Sequence, residues 1–256
     1  MQKNYRQLTD KLFLTWANYL PEEGAIINGA ILQGNTTTVV WDTLSKPEDL
    51  YFIDDFIPNN NQRVIAVYSH ADWDHCWGTD AFPFDSIMAH ADADERFANE
   101  MPSVLKRYRK RHEDFFANVI LEPPDFVFDR PVVLDLGEKT LELIPAPGHT
   151  SDSLFGFCPE EGVLLVGDAV ETVPEVTDPA LIPPWISMLR EWALDERVKV
   201  VIPGHGDVSD RSSLTQTADY LSDLAKGKLI SMTKASASDR SKHRANVKKI
   251  KKSGTA

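Results

Sequence analysis

The sequence predicts an α+β protein of layered sheets with outer helices. Three observations predict it. Short strand-like apolar runs come in groups, over 25–41 and again over 132–166. Longer helical patterns fall between or after those groups. No regular strand–helix–strand alternation runs through the chain, so a simple parallel α/β sheet is not expected.

The elements follow in order. Ala25–Leu32 and Thr37–Trp41 read as two strands broken at Gly34-Asn35, a hairpin signal. Lys46–Ile57 reads as a helix, with Ser45 as its cap and Pro47 in the first turn. Gln62–Ser69 and Ser86–Ala89 read as strands. Asp92–Val119 carries a helical pattern, restarted at Pro102. Val132–Leu134, Thr140–Ile144, Ser153–Cys158 and Val163–Val166 read as four more strands. A helix within Pro179–Glu196, a strand at Val198–Ile202 and a helix over Asp210–Leu224, capped by Asp210, complete the pattern.

The bulk numbers describe an ordinary folded domain, with 42% hydrophobic and 26% charged residues in 256. No apolar run is long enough to cross a membrane. No secretory signal follows Met1, so cytoplasmic residence is expected. Cys76 and Cys158 give no disulfide framework and are expected as buried thiols. The net charge of −12 is unevenly spread. Residues 226–256 hold ten Lys/Arg against one acid, and 1–225 hold 17 Lys/Arg against 38 Asp/Glu. This predicts one compact domain over 1–225 and a basic, flexible tail over 226–256, outside the core. An acidic body argues against a polyanion as the main substrate, although the basic tail leaves nucleic acid open. The oligomeric state is not legible in the sequence.

Chemistry concentrates in His70-Ala71-Asp72-Trp73-Asp74-His75, directly after the strand-like run Val64–Tyr68. Four imidazoles and carboxylates within six residues repel or desolvate one another unless a cation sits among them, and a divalent metal is the usual solution. Three further signals stand at strand ends beside glycine: Pro147-Gly148-His149-Thr150, Gly167-Asp168 and Pro203-Gly204-His205-Gly206. Loops at sheet ends are where a rigid scaffold presents functional groups. Together they make seven candidate ligands, His70, Asp72, Asp74, His75, His149, Asp168 and His205. Seven exceed the needs of one zinc ion and suit two divalent ions sharing a carboxylate.

The order H-x-[H/D]-x-D-H, P-G-H-T, G-D, P-G-H-G resembles the metallo-β-lactamase superfamily over roughly residues 24–225. The resemblance implies a four-layer αββα sandwich with metals in a groove at one sheet edge. It implies that His70, Asp72 and His149 hold one ion, that Asp74, His75 and His205 hold the other, and that Asp168 bridges. Asp42, after the second strand, resembles the family's early Asp and is expected to support the site. The activity implied is hydrolysis of a small ester-type substrate, a thioester or lactone as in glyoxalase II, by metal-activated water, with Asp74 as the catalytic carboxylate. An RNA-cleaving nuclease and a non-catalytic metal binder are the alternatives. The β-lactamases of the family are typically exported and some use Cys where Asp168 stands, which separates this chain from them.

Asp72 departs from the family pattern, which has His there. A third carboxylate lowers the net charge of a two-metal site by one and shifts preference from zinc toward harder ions such as iron or manganese. Zinc remains the expected metal. Other candidates are weaker. Lys106, Arg107, Arg109, Lys110 and Arg111 form either an anchor for a substrate carboxylate or a solvated helix face. Trp73 either walls the pocket or packs in the core, and Pro183-Pro184-Trp185 is a candidate groove wall. His90, His112 and His243 are expected to be ordinary residues.

Overall fold

The computed structural model describes residues 4–20, 25–57 and 62–253. Seven strands form the first sheet in sequential order: β1 (Tyr5–Thr9), β2 (Leu12–Asn18), β3 (Ile26–Gln33), β4 (Thr37–Trp41), β5 (Arg63–Val67), β6 (Ser86–His90) and β7 (Phe126–Phe128). The second sheet has β8 (Val132–Asp135), β9 (Thr140–Pro145), β10 (Leu154–Cys158), β11 (Val163–Gly167) and β12 (Val200–Pro203), again in sequential order. Pairing is parallel from β4 through β7 and between β11 and β12, and antiparallel elsewhere.

Alternation along the central strands builds four layers. In β4 and β5, Val39, Trp41, Ile65 and Val67 face the second sheet, where they meet Leu141, Leu143, Leu154 and Leu165. Their neighbours Val40 and Val64 face the other way, beneath Leu44, Leu50 and Phe56, and Ala66 meets Phe97, Met101 and Leu105. The last three residues come from α2 (Ala91–Asn99) and α3 (Met101–Arg111), which follow the short α1 (Trp73–Cys76). On the far side, Phe155, Phe157, Leu164 and Val166 of the second sheet pack against Trp185, Leu189 and Leu221. These belong to α4 (Ile182–Leu194) and α5 (Ser212–Ala225). A side-chain period of two thus covers both faces of each sheet and produces the expected αββα sandwich.

Several expectations need correction. Lys46–Ile57 is two 3₁₀ turns, Pro47–Leu50 and Ile53–Phe56, rather than one α-helix. Pro47, Leu50, Ile53 and Phe56 are all buried, and a spacing of three aligns them on one face only in the tighter helix. The helical pattern of 92–119 ends at Arg111. Beyond it the Arg109 guanidinium binds the Phe116 and Val119 carbonyls and folds the chain back. This accounts for Arg109, and none of Lys106, Arg107, Arg109, Lys110 and Arg111 lines the groove. β1, β2 and β7 were not expected.

The basic segment is not a tail outside the core. It forms α6 (Ala237–Ser253), with Asn246 and Ile250 buried. His243, Asn246, Val247 and Ile250 fall on one helical stripe. Ile250 joins the core of α4 and α5, and Val247 packs against it. Lys242 pairs with Glu171, and Lys249 Nζ lies 3.1 Å from Glu175 Oε1. A basic helix is therefore docked on an acidic body by its apolar stripe and by complementary charge. Residues 254–256 of the segment lie outside the described residues.

Candidate metal centre

The site forms where strands from both sheets end. β4 delivers Asp42, β5 delivers His70 through His75, β9 delivers His149, β11 delivers Asp168 and β12 delivers His205. The two sheets are tied together at this edge. The Asn28 backbone donates to Gly204 O at 2.7 Å, and its side chain donates to Pro203 O and Gly206 O at 3.0 and 2.8 Å. Glycine is required in the His205 loop by space: a Cβ on Gly204 would stand 2.3 Å from Asp168 Oδ1. A Cβ on Gly148 would stand 2.5 Å from the Trp185 ring. Trp185 is buried beneath the His149 loop, donating to Ala169 O at 3.0 Å, so it supports that loop instead of lining the groove.

All seven candidate ligands converge. Their donor atoms form three mutually close groups: His70, Asp72 and His149; Asp74, His75 and His205; and His70, His75 and Asp168. Asp168 lies between the first two. Its Oδ1 is 3.2 Å from His75 Nε2, and its Oδ2 is 3.4 Å from His205 Nε2 and 3.8 Å from both His70 Nε2 and His149 Nε2. Asp74 Oδ2 is 3.1 Å from His205 Nε2, and Asp72 Oδ2 is 3.5 Å from the Nε2 atoms of His70 and His149.

The outer ring nitrogens are occupied by the protein. His149 Nδ1 donates to Glu175 O and His205 Nδ1 to Ile26 O, each at 3.0 Å. His75 Nδ1 faces Asp42 Oδ2 at 2.9 Å, and His70 Nδ1 faces Ser69 Oγ at 2.9 Å. Every imidazole therefore turns Nε2 inward. His70 Nε2, His75 Nε2 and Asp168 Oδ1 are buried and make no well-aligned hydrogen bond among the described residues, although His75 Nε2 and Asp168 Oδ1 face each other at 3.2 Å. Buried polar atoms without well-aligned partners are rare and costly, and three aimed into one small space suit a divalent cation. The nitrogen and carboxylate donor set suits zinc, iron or manganese.

Electrostatics agree with that donor set. Burial disfavours charge on His75 and His205, yet Asp168 and Asp74 outweigh it and hold both pKa values well above the ordinary imidazole value. His149 is likewise opposed by burial but raised by Asp72 and Asp168, to about 9. Asp168 is buried, but His205 and His75 hold its carboxyl well below the usual range. Without metal, protons on His75, His149 and His205 would supply the positive charge that the carboxylates require.

Three supporting residues went unnoticed in the sequence. Asn28 was hidden inside an apolar strand. Arg96 and Asp152 lie in separate segments, and Arg96 reaches both Asp72 and Asp152. Trp73 both packs and walls: it is nearly buried among Tyr19, Tyr108 and Phe116, and it lines the groove. His90 caps α2 by accepting from Asp92 N, and His243 pairs with Tyr220 OH at 3.0 Å. The groove above the site is a cavity of about 750 Å³.

The model of the Metallo-beta-lactamase superfamily matches residues 24–230. Among solved structures, the metallo-beta-lactamase from Pontibacter korlensis is 19% identical with a TM-score of 0.64, covering 87% of this chain and 100% of its own. The DIM-1 metallo-beta-lactamase is 18% identical at a TM-score of 0.64, over 87% of this chain and 98% of its own. TMB-1 is 20% identical at 0.65, over 87% and 98%. At these identities the likeness is one of fold. No curated protein matches the chain. Four loops bearing candidate ligands at one edge of an αββα sandwich, together with the match over residues 24–230, lead to one conclusion: the chain belongs to the metallo-β-lactamase superfamily.

Proposed function

We propose that the protein is a dinuclear metal-dependent hydrolase acting on a small ester-type substrate, a thioester or lactone. In this reading His70, Asp72 and His149 hold one divalent ion. Asp74, His75 and His205 hold the other, and Asp168 is shared. Zinc is the expected metal. One observation carries the reading: two three-residue donor groups flank Asp168, and buried donor atoms within them make no well-aligned hydrogen bond.

When bound, such ions supply Lewis acidity at the reacting carbonyl and ease deprotonation of water. The remaining work falls to the chain. Asp42, Ile26 O and Glu175 O fix the orientation of His75, His205 and His149. Asp74 is assigned to orient the attacking water and accept its proton. Leu14, Trp16, Tyr19, Ile26, Trp73 and Val208 give the groove apolar walls suited to an acyl group. Glu171, Glu175 and Asp207 also line it, which disfavours a polyphosphate chain. Lys242 is already paired with Glu171. No helix among the described residues is long and apolar enough to cross a membrane, and the reading retains a small-molecule substrate met in the cytoplasm.

Elemental analysis of protein purified without added metal, paired with a screen of thioesters, lactones and phosphodiesters, tests the reading. Two equivalents of metal, turnover of an ester-type substrate and loss of both in Asp168→Ala are expected. Folded protein that takes up no divalent ion overturns it.

A further inference from the structure

Asp72 is the residue that departs from the family's ligand pattern, and its two oxygens have different surroundings. Oδ2 faces the Nε2 atoms of His70 and His149, each at 3.5 Å. Oδ1 is bonded to the Arg96 guanidinium from α2. The same guanidinium donates through its other terminal nitrogen to Asp152 Oδ1 at 2.8 Å. Asp152 is fully buried, and its Oδ2 accepts the Ala71 backbone N–H at 2.7 Å. One arginine thus ties together α2, the backbone between His70 and Asp72, and the loop that carries His149.

We propose that Arg96 is a positioning residue that makes Asp72 a one-oxygen ligand, so that a carboxylate serves where an imidazole otherwise stands. The proposal rests on the reading of Asp72 as a metal ligand. A carboxylate with both oxygens free can chelate an ion, raise its coordination number and favour hard cations. Arg96 removes that option by occupying Oδ1. What remains is a single donor atom in a fixed direction, which is what a histidine Nε2 provides. The guanidinium also draws negative charge away from the carboxylate, so the extra acid weakens the site's positive charge less than a free aspartate would. Arginine suits this role because its planar fork holds two carboxylates at once, which a lysine ammonium does not do with the same geometry.

Competition titrations with a chromogenic chelator, run separately with Zn²⁺ and Mn²⁺, test the proposal, alongside thermal unfolding of the metal-free proteins. The variants are Arg96→Gln, Arg96→Lys, Asp72→Ala and the double variant Arg96→Gln/Asp152→Asn. The double variant leaves no buried acid stranded and keeps an acceptor for Ala71 N–H. It therefore reports on Asp72 even where Arg96→Gln alone unfolds. Loss of a supporting partner typically weakens metal binding about 10–100-fold. A loss of that size is expected for Zn²⁺ at one of two sites in the double variant, with the Zn²⁺ over Mn²⁺ preference narrowed and Arg96→Lys intermediate. Unchanged Zn²⁺ affinities and an unchanged ion preference, with only the melting temperature lowered, would make Arg96 purely structural and overturn the proposal. Asp72→Ala binding both ions like the wild type would overturn it too, while the two-metal reading survived. Wild-type protein that binds no ion fails the two-metal reading itself.

Discussion

Asp42 holds His75 from behind the site: its Oδ2 lies 2.9 Å from His75 Nδ1, while its Oδ1 accepts the Ser69 backbone N–H at 2.7 Å. Both side chains are completely buried. Asp42 also has a φ of 58°, a left-handed conformation that costs most non-glycine residues energy. Asn tolerates that conformation, so Asp42→Asn isolates the chemistry. The amide oxygen would keep the Ser69 bond, but the amide nitrogen would donate toward His75 and force its proton onto Nε2. That tautomer cannot ligate. Metal affinity at one site is expected to fall about 10–100-fold, read by chelator competition. Unchanged affinity would mean that His75 is not a ligand.

Gly204 sets the distance between the His205 loop and Asp168. A methyl group there would stand 2.3 Å from Asp168 Oδ1 and 2.7 Å from His75 Cε1. Gly204→Ala must therefore displace one or both side chains. The expected outcome is a protein that folds but retains less metal and loses about 100-fold in turnover. Metal content measured after dialysis checks it. Full retention of both ions would show that Asp168 has room to move.

Most of the fold and the grouping of the candidate site were legible because their signals are local. Each candidate ligand segment follows a short apolar run, the three later ones beside glycine, and the four segments keep their order. What escaped was non-local. Arg96 meets Asp72 and Asp152 only once α2 has folded back over β5 and β6. Asn28 looked like a break in an apolar strand until β12 arrived beside it. α6 was obscured by its charge: ten basic residues over 226–256, seven of them in α6, read as a solvated tail, and the stripe of His243, Asn246, Val247 and Ile250 is thin. The acidic partners Glu171 and Glu175, far away in sequence, complement the charge of the docked helix.

Asn246 links that helix to the candidate metal centre. Its Oδ1 accepts Val176 N–H at 3.0 Å, and its Nδ2 donates to Pro174 O at 2.8 Å. Glu175, between them, accepts from His149 Nδ1. Asn246→Ala strands two backbone groups in a buried place, at about 1–3 kcal/mol for each. A lower melting temperature is expected, with faster amide exchange at 174–176 and weaker metal binding on the His149 side. If stability falls while metal affinity stays constant, α6 supports the fold without bearing on the site.

Asp49 is expected to give the protein a distinct pH dependence away from the candidate metal centre. It lies in the Pro47–Leu50 turn, with Oδ2 buried and unpartnered among the described residues, and Lys46 Nζ is 3.9 Å from Oδ1. Burial raises its carboxyl from 3.8 to about 6, and Lys46 opposes that only in part. The folded state therefore holds this proton more tightly than the unfolded chain does. Below about pH 4 both states are protonated and Asp49 costs nothing. Stability then falls as pH rises toward 6, and above that the full penalty persists, about 3 kcal/mol at most. Asp49→Asn removes the charge and keeps the shape. It is expected to stabilise the protein by about 1–3 kcal/mol at pH 7 and to flatten the decline between pH 4 and 6. Denaturant titrations of both proteins across pH 4–7 check this, and parallel stability curves would show that Asp49 ionises in the fold as freely as in the unfolded chain.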